Sequence, residues 1–370
     1  MAPRKKTQSA SEEIDSTLAL SASLVKSLTK DLGEDIVHLG SEALPSDITG
    51  YISTQCAALD YIIGQPGIPI GRLTTIYGKE GSGKSTIALH LLAETQAMGG
   101  LAILIDSECR FSRDRAADIG VKLDDLIVIT GKTLEATLQA VEKLVIKARK
   151  NYPDLLMTIV YDSLAGSPTE ALMDKEIGSA NYGPAARVVS TTFPRIIPLM
   201  ARAKVALVLV NQIRSYIKAD PRASETRKVM GQRYAMIAEG ALVFYSSLML
   251  FVNSHGTWPD EGDPEGIEVR VDCKKNSLAP REGFRAELKI SYLDGIDQVD
   301  AKFSVLERVG LIARKGAWYQ VEGIDKSFLR KDFGALLMEY PAIETLIDQA
   351  PLLWHTGHAD PFGPAEEEDE

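Results

Sequence analysis

Cysteine is scarce in this sequence. Cys56, Cys109 and Cys273 are odd in number and far apart, which excludes a disulfide framework and a cysteine-built zinc site and leaves reduced, mostly buried thiols as the expectation. His355 and His358 stand close together with no cysteine or third histidine beside them, so they do not suggest a metal centre. Long apolar runs are missing too: no uninterrupted stretch reaches the length a bilayer span requires. Residues 1–6 are basic, but the polar residues 9–13 follow where a secretory signal would carry its apolar region. The expected location is the cytoplasm, with no membrane partner.

What is present is a globular composition, 45% apolar and 25% charged over 370 residues, long enough for a large central core with smaller appendages. The net charge of −10 argues at first against a nucleic-acid partner, but the average hides an asymmetry. Residues 366–370 are all acidic, in a tail from 351 that is expected to be disordered. Residues 214–233 run the other way: Arg214, Lys218, Arg222, Arg227, Lys228 and Arg233 face only Asp220 and Glu225.

Ile14, Leu18, Val25, Leu28 and Leu32 recur at helical spacing and predict an amphipathic helix over 11–32, packed on its own chain or on a neighbouring copy. Apolar strand-like runs then alternate with helical patterns. Strands are expected at 73–77, 101–106, 126–130, 156–161, 205–210 and 247–252, with helices at 84–97, 134–150 and 185–203. Such continuous apolar strands separated by helices predict an α/β fold with a mainly parallel sheet covered on both faces. Gly256, Pro259, Gly262, Pro264 and Gly266 mark a loop, followed by alternating runs at 267–273 and 285–292 and an end to the sheet near Leu293. Residues 296–350 read as a compact helical unit cored by Phe303, Val305, Leu306, Val309, Leu311, Leu336, Leu337, Ile343 and Leu346.

Residues 78–85 carry the chemistry. Gly78, Lys79, Glu80, Gly81, Ser82, Gly83, Lys84 and Ser85 read G-x-x-x-x-G-K-S between a strand and a helix that continues from Thr86. Three glycines let successive backbone N–H groups curl round a polyphosphate at a helix N-terminus. Lys84 supplies a charge to the β- and γ-phosphates and Ser85 a hydroxyl to Mg²⁺. The chain is expected to bind a nucleoside triphosphate. Other strand ends then decide whether it is cleaved. Glu108 lies just past one, where a carboxylate orients a water toward the γ-phosphate. Asp162 ends another and fits an Mg²⁺ ligand beside Ser85. Gln212 ends a third, placed to sense the γ-phosphate and pass that on to the basic segment behind it, which reads as a single-strand contact. A second candidate loop, 174–183, holds Tyr182 ahead of a helix carrying Arg187.

Together these residues resemble the RecA recombinase family, including its phage UvsX-like members, over about residues 36–330. The ordered matches include 52–54, Leu59-Asp60, Gly71-Arg72, 76–86, 105–108, Asp162-Ser163, 176–179 with Gly183 and 185–187, 211–214, 241–245, 274–276, Ala279-Pro280 and 316–319. The resemblance implies a RecA-like core at 36–294, an N-terminal polymerisation helix region at 1–35, a small C-terminal domain at 295–350 and the tail at 351–370. It also implies a DNA-dependent ATPase, using ATP and Mg²⁺, that forms helical filaments on single-stranded DNA and pairs it with homologous double-stranded DNA. Loops 174–183 and 213–238 would contact the single strand, and Lys274 or Lys275 would reach the ATP of the adjacent subunit. The sequence departs from the family at Arg115, where a tyrosine usually stacks on adenine, at Ser112, where an acid is usual, and at Ala238-Glu239, which replace a glycine pair. Two other readings stay open here, a ring helicase or motor on the same core and a non-catalytic, nucleotide-switched filament protein.

Overall fold

The computed structural model describes residues 6–33, 36–174, 184–215, 234–259 and 262–350. The chain divides into two units, 1–47 and 48–370. In the first, helix α1 (Lys6–Leu32) starts earlier than the pattern predicted and leaves Leu20, Leu24, Leu28 and Leu32 exposed.

The second unit opens with a two-residue ladder, β1 (Tyr51–Ile52) with β2 (Ile68–Pro69), around helix α2 (Ala57–Ile63). The α/β core follows: β3 (Leu73–Gly78), α3 (Lys84–Ala97), β4 (Leu101–Asp106), α4 (Arg113–Asp118), β5 (Leu126–Ile129), α5 (Leu134–Asn151) and β6 (Met157–Asp162). After it come α6 (Glu170–Met173), α7 (Pro184–Arg202), β7 (Val205–Ser215), β8 (Tyr234–Met236) and α8 (Glu239–Tyr245). Strands β9 (Leu248–Trp258), β10 (Gly266–Asn276), β11 (Arg285–Ser291) and β12 (Gly295–Ile296) complete the sheet.

Its order is β12-β11-β10-β9-β3-β7-β6-β4-β5, with β8 paired to the end of β7. The six strands from β9 to β5 are parallel, and β10 to β12 add an antiparallel extension. Ile76, Ile103, Ile159 and Val208 are fully buried because helices cover both faces, so these strands are mostly apolar, with Thr74, Thr75 and Thr158 as buried exceptions. One core lies between the sheet and α2 and α3; the other lies against α5 and α7.

Several expectations need correction. Gly256 lies inside β9 and Gly266 begins β10, so the turn between these strands is shorter than its glycines and prolines suggested. The basic segment is not a loop throughout 213–238, because β7 runs to Ser215 and pairs antiparallel with β8. The C-terminal region is not purely helical. Helix α9 (Gln298–Arg308) is followed by a three-stranded antiparallel sheet of β13 (Ile312–Lys315), β14 (Trp318–Val321) and β15 (Ser327–Phe328), then α10 (Phe333–Glu339) and α11 (Ala342–Gln349). Its core holds the expected Phe303, Leu306, Leu336, Leu337 and Ile343, but also Tyr319, Phe328 and Phe333, packed edge-on to Phe303 at 5.0 to 6.4 Å. Val305 and Val309 instead face the main core.

One polar network ties the phosphate-loop helix to the far edge of the sheet. His90 of α3 is buried, and its Nε2 accepts the Ile296 N–H at 3.0 Å, which leaves the proton on Nδ1 for Gln55 Oε1 at 2.9 Å. Gly295 takes φ +82, and a Cβ there would stand 2.5 Å from His90 Nε2. Among the described residues no helix is long and apolar enough to cross a membrane.

Candidate active site

Strands β3, β6 and β4 deliver their carboxyl ends to one place, and Gln212, expected at a strand end, lies instead inside β7, which continues to Ser215 because β8 pairs with it. The register sets Gly78 beside Gln212, Val210 beside Asp162, and Asp162 beside Asp106. Ligands of open α/β sheets bind outside such strand ends. The cleft there is lined by Glu80, Gly81, Lys84, Ser85, Thr86, Asp106, Glu108, Arg110, Arg115, Asp162 and Gln212.

The loop after β3 has the backbone its glycines allow. Gly81 and Gly83 adopt φ +72 and +89, and Gly83 caps α3. Lys84 is buried; its ammonium donates to the Lys79 carbonyl and lies 3.4 Å from Ser82 Oγ, which itself donates to that carbonyl at 2.8 Å. Burial pushes the Lys84 ammonium below its ordinary pKa, while the charges of Asp162, Glu108 and Glu80 oppose the fall. Ser85 Oγ donates to Asp162 Oδ2 at 2.6 Å. Desolvation holds the Asp162 carboxyl above its usual range, against the Ser85 hydrogen bond. This hydroxyl–carboxylate pair offers the hard oxygen donors that suit Mg²⁺.

Glu108 is held on three sides. Gln212 Nε2 donates to its Oε1 at 3.0 Å and its Oε2 at 3.3 Å, the Ser163 hydroxyl donates to Oε1, and an Arg110 nitrogen lies 3.4 Å from Oε2. Ser163 is fixed in turn by Ser107, whose Oγ accepts the Ser163 N–H at 2.9 Å and donates to the Ser163 carbonyl at 2.6 Å. Asn211 steadies the other side, accepting the Gln212 N–H at 3.0 Å and donating to the Ile237 carbonyl at 2.8 Å. Sequence reasoning did not single out Ser107 or Arg110, and it quoted Ser163 only as part of a match. A cation two residues past a strand-end acid was the available signal for Arg110.

Lys84, Ser85, Glu108, Asp162 and Gln212 thus come together as expected. Arg115 lines the same cleft, but its guanidinium donates to the carbonyls of Ser291, Tyr292 and Leu293. Lys274 and Lys275 are not lining residues: they sit at the end of β10, Lys274 exposed and 3.3 Å from Asp272, Lys275 donating to the Val243 carbonyl at 2.6 Å. Ala238, which replaces a glycine, takes the left-handed φ of +58 at the start of α8. Arg187 is exposed on α7. Arg214 ends in the strand β7, while Tyr182, Lys218, Arg222, Arg227, Lys228 and Arg233 lie outside the described residues, as does the 351–370 tail.

A family model described as the RecA N-terminal domain matches residues 19–297. The chain belongs to the RecA family. Curated RecA relatives span nearly its whole length: Protein RecA of Heliobacterium modesticaldum is 31% identical over 90% of this chain and 92% of its own. Protein RecA of Zymomonas mobilis is 30% identical over 94% of both chains, and that of Thermus thermophilus is 34% identical over 80% and 82%. As a RecA-family protein the chain is a recombinase and DNA-dependent ATPase.

Proposed function

We propose that this chain hydrolyses ATP in that cleft with Glu108 as the water-activating carboxylate, and that the state of the nucleotide is relayed through Gln212 to a single-stranded DNA contact. Lys84 and the 78–86 loop bind the triphosphate. Ser85 and Asp162 would hold Mg²⁺, which screens phosphate charge when bound. Segments 174–183 and 213–238 contact DNA, with a homologous duplex as the second partner. The N-terminal helix region serves polymerisation into a helical filament, and the trans lysine comes from the end of β10.

One observation carries this reading. The amide of Gln212 holds both oxygens of Glu108, and the strand bearing Gln212 runs straight into the basic segment that β8 closes. When a water must be oriented by Glu108, Gln212 has to exchange a carboxylate oxygen for another acceptor. A γ-phosphate oxygen is the acceptor that the cleft would present. This stretch of β7 therefore has two settings, one per nucleotide state, and the segment beyond it feels the difference.

ATP turnover measured with and without single-stranded DNA, together with DNA affinity in ATP, ADP and no nucleotide across a salt series, tests the relay. DNA is expected to stimulate turnover, and ATP to raise DNA affinity. Glu108→Gln should cut turnover by about 10² to 10⁴ while leaving nucleotide affinity nearly unchanged. Equal DNA affinity in all three nucleotide states would reject the coupling, and unchanged turnover in Glu108→Gln would reject the base.

A further inference from the structure

Arg110 is the cleft cation for which the sequence gave no role. Its backbone is fixed. Asp106 Oδ1 accepts the Arg110 N–H and Asp106 Oδ2 the Phe111 N–H, both at 3.1 Å, and Cys109 adopts φ +53 between them, so the turn after β4 folds back over the strand end. The side chain is aimed but loose. Its guanidinium lies 2.5 Å from Glu80 Oε1 on the phosphate loop and 3.4 Å from Glu108 Oε2, with 63% of the side chain exposed. The same Glu108 oxygen receives Gln212 Nε2. Arg110 therefore stands at the phosphate end of the cleft, beside the γ-phosphate sensor.

We propose that Arg110 contacts the γ-phosphate of the ATP bound by its own subunit, acting as a built-in arginine finger; this rests on the reading of the cleft as an ATPase site. The charge pattern gives the reason. Glu80, Asp106, Glu108 and Asp162 surround a space that must accept a polyanion, and among the lining residues Arg115 is engaged by three backbone carbonyls. That leaves Lys84 and Arg110 as the lining cations at the phosphate end. Glu80 is exposed, and an exposed carboxylate holds an arginine weakly, while the less exposed Glu108 stands farther off at 3.4 Å. A γ-phosphate carries more charge than either Glu80 or Glu108, and a planar guanidinium can keep Glu80 on one edge while the other meets a phosphate oxygen. Moving there also frees Oε2 of Glu108 for the attacking water. Charge spread over the equatorial oxygens in phosphoryl transfer is what such a cation stabilises.

Arg110→Ala tests this in the full chain with single-stranded DNA present. Turnover should fall by about 10²-fold or more, with ADP affinity within about threefold of wild type. Stable trapping of MgADP with aluminium fluoride, a mimic of the transferring phosphoryl group, should be lost. Added guanidinium chloride should restore part of the rate, and Arg110→Lys should retain part of it. If turnover is unchanged or rises, if ADP affinity falls in parallel, or if guanidinium restores nothing, the assignment is overturned. Wild type and Lys84→Ala run alongside: a wild type no more active than Lys84→Ala would defeat the ATPase reading itself, whereas an active wild type with an equally active Arg110→Ala defeats only the role of Arg110.

Discussion

Gly78 has no room for a side chain. A Cβ there would lie 1.9 Å from the Val252 carbonyl oxygen, which belongs to the strand paired with β3, so the clash is with backbone and cannot be relieved by a rotamer. Gly81 is different: nothing lies within 4 Å of its Cβ position, and its φ of +72 is the only obstacle. Gly78→Ala is therefore expected to cost about 3 kcal/mol by overpacking, and Gly81→Ala about 1 to 2 kcal/mol through left-handed strain. Urea unfolding of the two variants checks the order, and equal midpoints would show that β3 and β9 part more easily than their pairing implies. The two substitutions also separate stability from binding. Gly81 lines the cleft and Gly78 does not, so Gly81→Ala should weaken nucleotide affinity more than its stability cost suggests.

At the scale of elements, His90 links α3 to the β12 edge as a neutral ring. Burial, helped by the charge of Arg115, pushes its pKa down to about 4 from the ordinary 6.5. A depressed folded-state value means that the stabilising neutral form is fully present above 6.5 and is lost as the pH falls toward 4. Over that window the contribution amounts to about 3 kcal/mol. Wild type should lose stability more steeply than His90→Gln between those limits, read as the pH dependence of the urea midpoint; parallel curves would show that the ring titrates freely. Asp60 works in the opposite direction: burial raises its carboxyl to about 6 despite hydrogen bonds from Ser53 and Thr54, so its contribution is present at low pH and lost as pH rises from about 4 to about 6. The comparison with His90→Gln removes this shared term.

Elements also show what a sequence discloses. The bounds of α3 were legible at both ends because a glycine loop opens it and the helical pattern runs out at Ala97. The parallel strands were legible because burial on both faces makes them mostly apolar. Strands β13 to β15 were not, since they are two to four residues long and largely exposed, so no alternation accumulates. The extensions of β7 and β9 past their apolar runs follow from ladder partners, β8 and β10, that no local pattern announces. The same distinction holds in the cleft. Lys84 follows a readable glycine loop, and Glu108, Asp162 and Gln212 sit where apolar runs give out, whereas Ser107 and Arg110 matter only because the turn after β4 closes on Asp106 and against Ser163.

At the scale of the whole molecule, the proposed filament asks which lysine at the end of β10 would serve the neighbouring copy. Lys275 is occupied within its own chain, tying β10 to α8 through the Val243 carbonyl, and Lys274 is exposed with Asp272 at 3.3 Å. Lys274 is therefore the expected trans residue and Lys275 a brace for the helix that follows the basic segment. Lys274→Met should lower DNA-stimulated turnover by about 10³-fold, as loss of a trans cation does, and Lys275→Met by much less. In a filament, head-to-tail contacts between copies would make the assignment decidable by mixing. Lys84→Ala lacks a working nucleotide site but keeps a working Lys274, and Lys274→Met has the reverse defect, so each is inactive alone. In a mixed filament a Lys274→Met subunit can receive the lysine of a Lys84→Ala neighbour. If the two are incorporated at random in equal amounts, roughly a quarter of junctions pair an intact site with an intact donor, and turnover should recover to that order. Absence of recovery, with filaments confirmed by electron microscopy, would place the action of Lys274 within its own subunit.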